Sequence, residues 1–65
     1  MIGTQAQGTI DYINMMIADA NTTAEELNTC YEMESNLYAR HFITEAVHGR
    51  LRSRIRDAIG KVIKA

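Results

Sequence analysis

The run Leu37-Tyr38-Ala39-Arg40-His41-Phe42-Ile43-Thr44-Glu45-Ala46-Val47 contains neither glycine nor proline. Wound as a helix at about 100° per residue, it spreads Leu37, Tyr38, Phe42, Ile43 and Val47 around most of the circumference. A helix that is apolar on all sides must be buried on all sides. The chain offers one short helix ahead of this run to cover it, so the rest of the cover is expected from another molecule. These five residues are therefore the expected oligomer interface.

Outward from this run, a heptad seam passes through the second half of the chain. Cys30, Leu37, Thr44, Leu51 and Ala58 fall at one core position, and Glu34, His41, His48, Ile55 and Val62 at the other. Such a repeat is the mark of helices packed along their length. Against continuity stands Gly49, because glycine inside a helix costs roughly 1 kcal/mol relative to alanine. A helix running unbroken from 23 to 64 would be about 63 Å long at 1.5 Å per residue, too long for a chain this size to bury alone. Two architectures follow: a bent three-helix fold broken near Gly49, or a long helical hairpin within an oligomer.

Toward the N-terminus, Asn21-Thr22-Thr23 interrupts the helical pattern. Thr22 with Glu25, and Thr23 with Glu26, both have the spacing of a capping box, in which hydroxyl and carboxylate satisfy each other's backbone amides. A helix is expected from about residue 23. Before it, Ile10, Ile13, Ile17 and Ala20, with Met16 beside them, form the apolar stripe of an amphipathic helix over about 9–20. Thr9 is the expected N-cap, and residues 1–8 are expected to begin loosely.

Sixty-five residues make one domain, read as 1–65. A chain this short buries only about 60% of its unfolded surface, and small folds add disulfides, metals or oligomerisation. Cys30 is the only cysteine, which rules out a disulfide within the chain and fits a reducing compartment. With no apolar run approaching membrane-spanning length and no signal-like start, the expectation is a cytoplasmic protein. The net charge of −1 conceals a division. Asp11, Asp19, Glu25, Glu26, Glu32 and Glu34 lie before residue 40 with no Lys or Arg among them. After it come Arg40, Arg50, Arg52, Arg54, Arg56, Lys61 and Lys64 against Glu45 and Asp57. Halves so opposed are expected to fold back on each other or to pair between copies.

Three groups of residues could carry chemistry. The helix expected over about 50–64 carries Arg50, Arg52, Arg54 and Arg56, whose planar guanidinium groups suit phosphate and carboxylate. They define an alternative reading as an anion site for nucleic acid or a nucleotide, although no aromatic residue follows Phe42 to stack on a base. A lipid surface fits less well, since the stripe has no Trp or Phe. Glu45 and His48 have the Glu-x-x-His spacing of bundle metal sites, but a histidine at a core position more often fixes register, and no metal or cofactor is expected. If His41 and His48 share the seam, assembly should respond to pH. Cys30, among acidic neighbours, is expected to be buried and inert. There is no phosphate loop and no nucleophile set beside a base, so no enzyme is expected. The reading is an all-α, non-enzymatic homo-oligomer that binds another protein as an inhibitor or adaptor.

Overall fold

Two adjacent threonines divide the first connection between them. The computed structural model describes residues 4–64, with side chains from residue 6 onward. Helix α1 spans Thr4–Ala18, α2 spans Ala24–Ala39 and α3 spans Glu45–Lys64. Thr22 is buried and its hydroxyl donates to the Met16 carbonyl at 2.8 Å, an acceptor in the last turn of α1 that otherwise has only a longer bond from the Asp19 amide at 3.3 Å. Thr23 is the N-cap of α2: its hydroxyl accepts from the Glu26 amide at 3.2 Å, and the Glu26 carboxylate accepts from the Thr23 amide at 3.3 Å. Of the two capping boxes the sequence offered, the Thr23–Glu26 one forms, while Thr22 closes the preceding helix.

Helix α1 begins earlier than the sequence implied. Thr9 lies inside it rather than at its cap, and residues 4–8 are helical. The apolar stripe extends back one more turn, with Ala6, Ile10, Ile13 and Met16 all buried. Ile17 is half-buried and Ala20 is exposed beyond the helix end. The tolerated cost is Gly8 within the helix, on its outer side. The expectation of a loose start over residues 1–3 lies outside the described residues.

The larger correction concerns the run 37–47. It is not one helix but a helix end, a turn and a helix start. The His41 amide donates to the Tyr38 carbonyl at 3.0 Å and the Phe42 amide to the Leu37 carbonyl at 2.9 Å. These are the paired bonds of a Schellman motif, with His41 in the left-handed position at φ 63°. Thr44 then starts α3, its hydroxyl accepting from the Val47 amide at 3.3 Å. The chain therefore breaks over 40–44, not at Gly49, which lies inside α3 where a Cβ would meet nothing. His41 and Thr44 leave the heptad seam, which survives on either side of the turn as Cys30, Glu34 and Leu37 facing Leu51 and Ile55.

The three helices enclose one core. Ile13, Leu27, Cys30 and Ile55 are almost wholly out of solvent, and Leu37, Ile43 and Leu51 pack with them. Burying a side chain of the Leu or Ile size contributes about 1.5–3 kcal/mol. Helices α2 and α3 make the main contact, α1 lies chiefly on α2, and its contact with α3 is sparse. No helix among the described residues is long and apolar enough to cross a membrane.

Candidate functional site

A carboxylate stands in the middle of the main helix contact. Glu34 follows Leu27 and Cys30 and precedes Leu37 on the buried stripe of α2, and it is 0% exposed. An ionised carboxylate there is tolerated only if it is paired and hydrogen-bonded. Both partners come from α3, where His48 and Arg52 are one helical turn apart and share a face. His48 Nδ1 meets Glu34 Oε1, and neither atom has another hydrogen-bond partner. Arg52 Nη1 donates to Glu34 Oε2 at 3.3 Å and to Ser35 Oγ at 3.2 Å.

Two tyrosines of α2 hold these partners flat. The His48 ring stacks on Tyr38 with centroids 3.9 Å apart and planes within 10°. The Arg52 guanidinium lies over the Tyr31 ring at 4.8 Å. Tyr31 and Tyr38 stand three residues before and four after Glu34, so one helix face supplies the carboxylate and the walls around it. The interaction of an arginine with an aromatic face adds about 0.5–1 kcal/mol at exposed sites. The arrangement fixes the alignment of α2 against α3: one step of slippage would leave Glu34 buried without partners.

This differs from the metal-site spacing read in the sequence. His48 answers to Glu34 across the helix pair, while Glu45 is exposed in the first turn of α3. His41 is exposed in the turn and takes no part in the pairing with Glu34. No group of three or more His, Cys, Asp or Glu among the described residues is placed to hold a metal. The clue present in the sequence was Glu34 itself, a carboxylate in an apolar stripe, with His48 and Arg52 at i, i+4 spacing downstream.

The four arginines do not form one surface. Arg52 is turned to α2, and Arg54 Nη1 donates to Asn14 Oδ1 on α1. Arg50 is exposed, and Arg56 lies 3.7 Å from its neighbour Asp57 with both side chains mostly in solvent. Among the described residues, Glu34 is the one acidic side chain of the first half that pairs with a basic group of the second. The opposed charge of the two halves is therefore largely unengaged within the chain.

The expected interface residues are also divided. Leu37 and Ile43 are buried in the chain's own core, and Val47 is half-buried. Tyr38 and Phe42 remain 38% and 43% exposed at the turn. Beside Phe42 a cleft of about 230 Å³ opens over Ala6, Met33 and Leu37, with Arg40 at its edge. A larger cleft of about 400 Å³ lies between the end of α1 and the second half of α3, floored by Met16, Ile17, Leu27, Ala58 and Val62. Cys30 is buried, and burial first, then the nearby Glu26 carboxylate, pushes its thiol above the ordinary range, making it a poor nucleophile. Met15 is exposed, opposite the stripe of α1.

Compared with family models, with curated proteins and with solved structures, the chain matches none.

Proposed function

We propose that this chain is a non-enzymatic helical interaction protein that self-associates and binds another protein, so inhibiting or adapting it. The observation that supports this best is the α2–α3 turn, where two aromatic side chains stay partly exposed on a rigid mount. The Tyr38 ring stacks on His48, and the backbone at Phe42 is fixed by the Schellman bonds at the helix end. Partly exposed aromatics are among the residue types that dominate protein interfaces, because they bury a large area with little loss of side-chain freedom. The cleft beside Phe42, half apolar and half polar in its lining, gives a partner side chain somewhere to sit.

The anion-binding alternative loses two of its four arginines to contacts within the chain, Arg52 to Glu34 and Arg54 to Asn14. Arg50 and Arg56 remain, pointing to different sides of α3. Two measurements test the proposal. A photo-crosslinker at position 42 in cells expressing the chain should join a second protein, whereas one at Ser53 on the outer side of α3 should not. Labelled duplex DNA should show no binding at low salt. Each phosphate contact adds roughly 0.9 to the log–log salt slope, so a steep slope with equal crosslinking at both positions would replace the protein-partner reading with the anion-binding one.

A further inference from the structure

The cleft between α1 and α3 has a feature that its size alone does not reveal. Its apolar floor is bordered by Asp19, Arg54, Asp57 and Lys61, two acids and two bases. None of these four forms an ion pair across the cleft among the described residues. Asp19 accepts from the Asn21 amide at 2.9 Å, Arg54 donates to Asn14, and Asp57 has its sequence neighbour Arg56. The border is therefore neutral in sum and mixed in sign, around a floor left open to water.

A border of this kind selects among occupants. A polyanion or an anionic lipid surface would meet Asp19 and Asp57 as like charges, and an acidic or basic peptide would be repelled by half of the border. A two-fold contact between copies requires a patch that complements itself. An apolar floor with equal numbers of both signs at its edge meets that requirement, because the cations of one copy can be set against the acids of the other.

We infer that the face of α1 and α3 around this cleft packs on the same face of a second copy of the chain, forming an isologous dimer. The inference rests on the self-association part of the proposed function and assigns it a surface at the opposite end of the helices from the aromatic turn. In the dimer Ala58, Val62 and Ile17 of both copies are removed from water, and the border charges pair between chains. The α2–α3 turn stays free for a different protein.

The test separates the surface from the reading it rests on. Two variants are made: Arg54→Glu with Lys61→Glu, which leaves the border acidic, and Asp19→Lys with Asp57→Lys, which leaves it basic. All four positions are at the surface, and circular dichroism checks that each variant keeps its helices. Sedimentation equilibrium should show the wild type as a dimer and each variant alone weakened by at least about tenfold, which is 1.4 kcal/mol. Mixed in equal amounts, the two variants should regain wild-type affinity as a heterodimer, a recovery that no contact within one chain produces. Wild-type dimers with both variants equally tight would remove the cleft from the interface and leave self-association standing. Variants that weaken but do not recover on mixing would assign the border to another occupant. A wild type that is monomeric at millimolar concentration would overturn self-association itself. Duplex DNA held by the wild type and released by the acidic variant would assign Arg54 and Lys61 to nucleic acid.

Discussion

The two flanks of α3 are treated in opposite ways. Toward α2, the helix commits His48 and Arg52 to a fully buried carboxylate and packs Leu51 and Ile55 into the core. Toward α1, it is joined by the hydrogen bond from Arg54 to Asn14, and it leaves a cleft with an apolar floor and charges of both signs at its edge. The same helix is basic on both flanks, so composition does not explain the difference. What separates them is whether a partner group is buried opposite. A charge that answers a buried carboxylate supports the fold, while a charge at the border of an open cleft is available to something outside it.

The strongest test of this contrast removes both partners of Glu34. The double change His48→Ala, Arg52→Ala leaves a buried carboxylate uncompensated, which costs about 3–5 kcal/mol. Total stability for 65 residues is about 3–10 kcal/mol at the usual value per residue, so the double variant should lose a large share of its stability, up to all of it. Adding Glu34→Leu should recover most of the loss, because an apolar side chain of similar volume needs no partner. Urea denaturation measures both steps. A double variant within about 1 kcal/mol of wild type would show that the α2–α3 flank is no more committed than the other.

Amide exchange compares the flanks without altering either. Helix α1 has the sparser contact with α3, so its amides should open by local unfolding more readily than those in the middle of α2 and α3. Protection lower by about tenfold or more corresponds to 1.4 kcal/mol. Uniform protection across all three helices would contradict the contrast, and α1 protection that rises with protein concentration would tie it to the dimer.

The smallest effect belongs to Cys30. Burial and Glu26 favour the protonated thiol in the folded chain, so folding holds that proton more tightly than the unfolded chain does. The stability this confers is complete below the ordinary thiol range and is lost as pH rises through the raised value of the folded state. Thermal melts should therefore decline at alkaline pH, and Cys30→Ala should flatten that decline while lowering the melt at neutral pH. A decline unchanged by Cys30→Ala would place its origin elsewhere.

Much of the fold was legible where a local interaction and the global packing agree. The Thr23–Glu26 box marked the start of α2 because both of its bonds lie within four residues, and the isoleucine stripe of α1 has a single period. The break over 40–44 was hidden because its signals are weak ones. The residue in the left-handed position is His41, which adopts it less readily than glycine, and Gly49 drew the break to itself. Thr44 followed by Glu45 is a fair N-terminal signal, but it stands in step with the heptad, where a core position is equally consistent with the spacing. The buried cluster was half legible. Glu34 and His48 were placed on one seam, yet their pairing depends on the turn that folds the seam back on itself, and that information is tertiary. For the same reason Leu37 and Ile43 looked like an interface with another molecule when they face the chain's own core.

The position of that turn also has a consequence for chain entropy. Glu34 and Arg52 are 18 residues apart in sequence, and Asn14 and Arg54 are 40 apart. Closing a flexible loop costs more as it lengthens, by about 0.6 kcal/mol for each doubling. The second contact therefore costs about 0.7 kcal/mol more to close than the first on that scaling. With the break at Gly49, the helix would reverse after His48, and the group that meets Glu34 would have to come from farther along the chain. With the break at 40–44, the shorter of these two closures is also the one that covers the buried carboxylate.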